Sequence, residues 1–339
     1  MSNITLRDIS KALNISVSTV SRALTDSHEI GEETKKLVLA YAKEHNYVPN
    51  RMARSLKVGK TKSIGVVICA IDNSFVAQML DGIDQACNEN GYQIIIMQSK
   101  ESYEQEKACI NLLYASGVDG IMISPSYQTT DFSHLKELQQ QGFPVVLFDR
   151  ITNELDAHKI AANNFKGAYE ATQHLISSGC KKIAHLNSRS NLALTIERFE
   201  GYKQALIDKH LNYKEELVKF CDTSDAENID ENIAKSMEHL LKQQPDAIFT
   251  TTDLLSTKAL AYLNQNGYRV PKDIMLLGFS NSDLAPLLNP SLSTVHQPSR
   301  EIGHLAAQTL IQLVKGKDLG PTETTLLDTA LHVRKSTTR

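Results

Sequence analysis

Apolar residues follow two different rhythms along this chain. Over residues 1–48 they recur every three or four positions, the spacing of one helical face. Leu6, Ile9 and Leu13 share one such face; Val20, Ala23 and Leu24 share the next. A third helix is predicted from Glu32 to Glu44, with Leu37, Val38, Tyr41 and Ala42 turned toward the other two. Ser16 suits the N-cap of the second helix, its hydroxyl available to free N–H groups of the first turn. Asn14 sits in the intervening turn, where left-handed backbone is tolerated by Asn. Two short helices joined this way form a helix-turn-helix.

From Ser63 short unbroken apolar runs alternate with helical stripes. Strands are predicted at 64–68, 92–97, 118–123 and 145–148, with helices at 75–90 and 105–116. A second series follows: strands at 159–162, 182–186, 247–250 and 274–279, and helices at 165–178, 193–210 and 257–266, the last ending at Gly267. The strand at 294–296 and the helix at 300–314 are expected to cross back to the first half. Such runs indicate parallel sheets with helices on both faces. Two α/β halves imply two lobes with a ligand between them. The expected domains are 1–48, a hinge helix and linker at 49–60, and 61–339.

Charge separates the same parts. Residues 1–60 hold ten Lys or Arg and six Asp or Glu, a net +4, which leaves −7 on the rest of a chain of net −3. A basic head on an acidic body suits a polyanionic partner for the head alone. On the second helix Val17, Ser18, Ser21 and Arg22 lie opposite the apolar face. Hydroxyls, a guanidinium and a small apolar group suit base edges in a major groove. The body lacks a dinucleotide or phosphate-loop glycine pattern, a nucleophile elbow and a zinc-protease pair. No enzyme activity, cofactor or metal is therefore expected. The five cysteines are scattered without a C-x-x-C pair, and no run of about 18 apolar residues occurs. A reducing cytoplasm, no signal peptide and no membrane are the expectation.

Strand ends supply the candidate ligand residues, since ligands of parallel α/β lobes sit beyond them. In the first lobe these are Asp72, Ser124, Asp149 and Arg150, with Phe75 opening the next helix. In the second they are Asn163, Asp253 and Ser280, with Arg198 in the helix after His185-Leu186.

The segment from Thr5 through Val17-Ser18-Thr19-Val20-Ser21-Arg22-Ala23-Leu24 resembles the lactose-repressor (LacI/GalR) family of bacterial transcription regulators. The resemblance continues through Asn46-Tyr47-Val48-Pro49-Asn50 and Ala53-Arg54-Ser55-Leu56 and then over nearly the whole chain. It implies a periplasmic-binding-protein-like body, operator DNA, a small-molecule effector and a homodimer. It places DNA contacts at Thr5, Ser16, Val17, Ser18, Ser21 and Arg22, and in the hinge at Asn50, Arg51, Arg54 and Leu56. Leu56 matches a residue that enters the minor groove. Arg198-Phe199-Glu200-Gly201-Tyr202 matches a motif whose Arg binds effector oxygens; Asp149, Asp253 and Gln297 match further effector contacts.

Two positions depart from the family. Ser280 stands where an Asp is usual, and Ala162 where an acid is frequent. Loss of two carboxylates beside Arg150 and Arg198 suggests a sugar acid or sugar phosphate, with a neutral sugar as the alternative. A solute-binding transport protein would need a signal peptide and no helix-turn-helix; a dehydrogenase would need a cofactor fingerprint. The reading is an effector-controlled transcriptional regulator, expected to be a repressor. It is expected to be a dimer, because no leucine heptad follows the last strand of the body.

Overall fold

The computed structural model describes residues 4–25, 27–47, 60–188, 192–223 and 228–338. They form two compact units, Met1–Thr61 and Lys62–Arg339.

The first unit contains α1 (Leu6–Leu13), α2 (Val17–Leu24) and α3 (Glu32–Glu44). Thr5 and Asp8 close a reciprocal capping box, the Thr5 hydroxyl accepting from Asp8 N–H and the Asp8 carboxylate from Thr5 N–H. Asn14 takes φ +52°, which ends α1, and Ser16 Oγ accepts from Thr19 N–H at 3.0 Å to open α2. Ile9, Val20, Ala23, Val38 and Ala42 form the core. Leu37 departs from expectation, being half exposed. Lys35 is buried instead: its aliphatic stem covers the core while Nζ reaches Glu32 at 3.2 Å.

The second unit holds two six-stranded sheets. The first contains β1 (Ser63–Ile68), β2 (Gln93–Gln98), β3 (Gly120–Ile123), β4 (Val145–Phe148), β5 (His158–Ala162) and β11 (Thr324–Leu327) in the order β11-β5-β4-β3-β1-β2, all parallel. The second contains β6 (Ile183–Asn187), β7 (Val218–Phe220), β8 (Ala247–Thr250), β9 (Met275–Phe279), β10 (Ser293–His296) and β12 (Ala330–His332) in the order β12-β10-β9-β8-β6-β7. Only β12 runs antiparallel among these pairings. Helices α4 (Ser74–Glu89), α5 (Tyr103–Ala115) and α6 (Ser133–Gln140) follow β1, β2 and β3. Helices α7 (Asn164–Ser177), α8 (Ala193–Asp208), α9 (Ile229–Lys242), α10 (Asp253–Gln265) and α11 (Ser299–Val314) complete the unit. Each sheet is covered on both faces by separate apolar clusters.

Two strands join sheets other than those expected. The strand at 158–162 pairs with β4 and with β11, so it belongs to the first lobe, and the chain leaves that lobe at Asn163. The strand at 293–296 stays in the second lobe, whereas α11 crosses back as expected, adding Ile302, Ala306, Leu310 and Ile311 to the first-lobe core, and β11 follows it. An apolar run reveals a strand but not its neighbours, and β5 gains one of them from far downstream. The short or polar elements β7, β11, β12 and α6 have apolar periods too brief to predict; α9 was passed over although Ile229, Ile233, Met237 and Leu240 recur at helical spacing.

Helices α4 and α11 pack backbone to backbone. A Cβ at Gly82 would strike the Arg300 carbonyl, and one at Gly303 the Met79 carbonyl. Asp81 and Arg300 form an ion pair beside this contact.

His185 lies wholly inside the second lobe, stacked on Tyr202 at 4.6 Å and tilted against Phe249 at 5.2 Å. Neither ring nitrogen has a hydrogen-bond partner. Burial lowers its pKa from 6.5 to about 3. The folded value lies below the unfolded one, so unfolding takes up a proton below pH 6.5. Stability present above that pH is therefore lost as the pH falls toward 3, by about 1.4 kcal/mol per pH unit. Urea unfolding at several pH values should show this slope in the wild type, and His185→Phe should flatten it by that amount.

Candidate functional site

The first unit presents α2. Val17, Ser18 and Arg22 are exposed on one side of it, with Ser21 half-buried. Ser16 Oγ is engaged by the cap and lies 2.7 Å from Ser18 Oγ and 2.8 Å from Thr19 Oγ1. Thr5 is tied to Asp8, its hydroxyl donating at 2.6 Å. Arg22 Nη1 meets Glu29 Oε2 at 2.7 Å. Asn50, Arg51, Arg54 and Leu56, with most of the hinge, lie outside the described residues.

In the second unit Arg198 on α8 is the centre of the site. It is buried, with its guanidinium 4.0 Å from the centre of the Phe279 ring. Nε and Nη2 donate to Asn164 Oδ1 at 2.9 and 2.7 Å. Nη1 donates to the Thr251 carbonyl at 2.5 Å, and Nη2 also to Gln297 Oε1 at 2.8 Å. Burial lowers its pKa to about 10, against the pull of Asp149, Glu197 and Asp253. The acceptors come from the start of α7, the turn between β8 and α10 and the end of β10, so three separated segments converge on one side chain.

Across from it, Asp149 ends β4 with φ +61°, a left-handed conformation unusual for a side chain-bearing residue. Burial raises its carboxyl above the usual range, while Arg150, Arg198 and the Ser124 hydroxyl at 3.3 Å pull it down. Burial also raises Asp253, despite the neighbouring Ser280 hydroxyl and the N–H groups of Ser282 and Asn281. Asp253 Oδ1 is buried without a hydrogen-bond partner.

Arg150 is already paired. Its two terminal nitrogens fork Glu101, each at 2.8 Å, and Nη1 also reaches the Pro125 carbonyl. Burial pushes the Glu101 carboxyl up, but the Arg150 hydrogen bonds and charge outweigh it and leave it below the usual range. Cys69 lies against the same corner; burial pushes its thiol up to about 12. Glu101 takes φ +62°, a left-handed conformation like that of Asp149.

The other candidates make no hydrogen bond to Arg198 among the described residues. Asp72 is exposed and accepts from Asn73 at 2.9 Å. Phe75 packs on the first-lobe core. Asn163 caps α7 through Lys166 N–H and contacts Asp328 at 3.3 Å. Ser280 Oγ accepts from Ser282 N–H at 3.1 Å. Sequence reasoning passed over Glu101, Asn164, Thr251 and Asn281. Each stands one to three residues beyond a strand end, which is the signal that could have found them.

Asn281 joins the lobes. Its carboxamide grips the Gln297 backbone at both ends, Oδ1 accepting from N–H at 2.9 Å and Nδ2 donating to the carbonyl at 2.8 Å. Gln78, on α4 of the first lobe, donates to the Asn281 carbonyl at 3.2 Å and accepts from Asn281 Nδ2 at 2.9 Å and Ser299 Oγ at 2.7 Å. Hydrogen bonds thus run from Arg198 through Gln297 and Asn281 to Gln78.

Comparison with known proteins agrees with this architecture. Residues 5–50 match the family described as bacterial regulatory proteins, lacI family, and residues 172–337 match a periplasmic binding protein-like domain. The chain is 32% identical over 318 residues to the HTH-type transcriptional repressor PurR of Vibrio atlanticus (strain LGP32), covering 93% of each. The solved complex of the transcriptional regulator CelR with cellobiose aligns with a TM-score of 0.73 at 27% identity, over 98% of this chain and 100% of that one. The operator-bound dimer of the lac repressor aligns with a TM-score of 0.87 over 99% of both chains; at 22% identity that likeness concerns the fold. The chain belongs to the lacI family of bacterial regulatory proteins and is a DNA-binding transcriptional repressor.

Proposed function

We propose that this repressor reads operator DNA with α2 and is controlled by a neutral, hydroxyl-rich molecule, such as a sugar, bound between its lobes. The observation that carries the choice of ligand is the pairing of the charges. Arg150 is neutralised by Glu101, and all three guanidinium nitrogens of Arg198 already donate to protein oxygens. Among the described residues, an anionic group at this site would meet Asp149 and Asp253 without a free cation to receive it. This weighs against the sugar acid or sugar phosphate that the loss of two carboxylates suggested. Asp149 and Asp253, by contrast, are acceptors for ligand hydroxyls, and Asp253 Oδ1 is unpartnered. The CelR relative, crystallised with cellobiose, is compatible with a neutral sugar.

Control would operate by linkage. A ligand between Asp149 and Asp253 contacts both lobes, so it favours one lobe arrangement over another. Operator DNA favours one arrangement as well, and each partner then alters the other's affinity. The bonds from Arg198 to Gln78 supply a physical connection between the ligand's surroundings and α4. The 49–60 segment is proposed as the hinge between the DNA-reading head and the body, with Leu56 as its minor-groove residue.

A homodimer accompanies this reading, because a two-fold operator is matched by a two-fold protein. Edge strand β2 exposes Ile95 and Ile96 along an unpaired sheet margin, with Ile71 nearby in sequence order after β1 and also exposed. Unpaired margins with apolar side chains are covered in stable proteins.

Calorimetric titration should show binding of neutral mono- or disaccharides; tight binding confined to phosphorylated or acidic sugars would reject the proposed ligand class. Arg198→Ala should strand the oxygens of Asn164, Gln297 and Thr251, lowering stability by about 3 kcal/mol in urea unfolding. Arg198→Lys should fold yet weaken ligand binding roughly ten- to hundredfold, since one ammonium cannot reproduce the four hydrogen bonds to these three oxygens.

Arg22→Ala should weaken binding to a selected operator by about 1–3 kcal/mol and relax preference at one base pair per half-site. Footprints with unchanged base preference would place another face of the unit in the groove. Light scattering should give the mass of two chains, and Ile96→Glu should shift it toward one.

A further inference from the structure

We infer that Glu29 is a specificity-determining residue that positions Arg22 for guanine, and that it acts through Arg22 without itself contributing to stability. The inference rests on the reading of Arg22 as a base contact and adds to it the residue that aims the guanidinium.

The loop after α2 is folded back on that helix. Thr25 N–H and Ser27 N–H both donate to the Arg22 carbonyl, at 3.2 and 3.1 Å. Thr25 Oγ1 donates to the Ser21 and Arg22 carbonyls. Ile30 N–H donates to the Ser27 carbonyl at 3.2 Å, and the Ile30 side chain packs on the core of the unit. Glu29 N–H donates to Ser27 Oγ at 3.3 Å. Glu29 is therefore held between an anchored residue and the helix end, and its carboxylate meets Arg22 Nη1 at 2.7 Å.

Both side chains of this pair are more than half exposed, at 58% and 51%. An ion pair so exposed adds little to stability. Its effect lies in geometry. A guanidinium offers five N–H groups in a fixed fork. The Glu29 carboxylate lies at Nη1, and among the described residues Nε and Nη2 meet no other partner; such an edge can fork O6 and N7 of one guanine. An unpaired Arg at the same place would sweep many rotamers and would also bond phosphates or other acceptors. The carboxylate further repels the phosphate backbone, which lowers affinity for every sequence alike. Glu29 thus exchanges general affinity for discrimination at one position.

The test uses the full chain and an operator selected from random duplex DNA. Dissociation constants are measured at one salt concentration for the selected site, for each single-base variant and for random DNA. The proteins are wild type, Arg22→Ala, Glu29→Ala and the double variant. Arg22→Ala is expected to flatten the preference at one guanine per half-site. Glu29→Ala should reduce the preference at that same guanine by roughly tenfold, spare the other positions, and tighten binding to random DNA. The double variant should discriminate no worse than Arg22→Ala. If Arg22→Ala flattens one position and Glu29→Ala leaves it at the wild-type value, Glu29 does not aim Arg22 and the inference is overturned. If Arg22→Ala changes no base preference, the base-contact reading itself has failed, and the inference falls with it.

Discussion

A guanidinium removed from water must be surrounded by oxygen, because each stranded N–H carries its full desolvation penalty. Arg198 imposes that requirement on the middle of this protein. Asn164, Thr251 and Gln297 satisfy it from three elements that are far apart in the chain, and the Phe279 ring closes the remaining face. Moving any of these elements breaks a charge-assisted bond. The start of α7, the turn between β8 and α10 and the end of β10 are therefore registered against α8 by one residue. The same requirement explains why Asn281 grips the backbone of Gln297: an acceptor must be fixed to serve a buried donor. Through Gln78 this order extends into the other lobe.

The two halves of the cleft solve the charge problem differently. The first lobe neutralises Arg150 with a neighbouring acid from the end of β2, forming a closed pair. The second surrounds Arg198 with neutral oxygens and leaves acids at a distance. At this site Asp253 Oδ1 remains buried without a hydrogen-bond partner, while Asp149 accepts from the Ser124 hydroxyl at 3.3 Å. Unmet hydrogen-bond capacity in a buried place is what a ligand can supply.

Much of this was legible before folding. Ser16 and Asn14 announced the helix-turn-helix, since a cap and a left-handed turn are local properties. Asp149 and Asp253 stood out because strand ends locate ligands in this architecture, and Arg198 because Arg198-Phe199-Glu200-Gly201-Tyr202 resembles the family's motif. The partners of these residues were harder to see. Asn163 and Ser280 drew notice as the first polar residues after β5 and near β9, yet the side chains that tie the network together belong to their neighbours, Asn164 and Asn281. Which of two adjacent polar residues turns inward depends on how the next helix or loop departs, and a sequence pattern does not contain that angle. Glu101 was hidden for another reason. It follows an edge strand, and its partner Arg150 is brought beside it only when β3 and β1 come between β4 and β2. The placement of β5 and β10 failed likewise, because sheet membership is a long-range property.

The route of the chain through the lobes has a consequence for how the protein is made. The first sheet gains β11 only at residues 324–327, and its core gains α11 only at residues 299–314. A ribosome releases the chain from its N-terminus, and domains commonly fold as they emerge. Here the earlier lobe waits for the later one. Until α11 arrives, the face of α4 that carries Gly82, Met79 and Ile83 has no partner, and β5 has an open edge. A nascent chain stopped before residue 299 would carry a complete DNA-reading head on an unfinished body, with an adhesive apolar surface exposed to chaperones and to other chains.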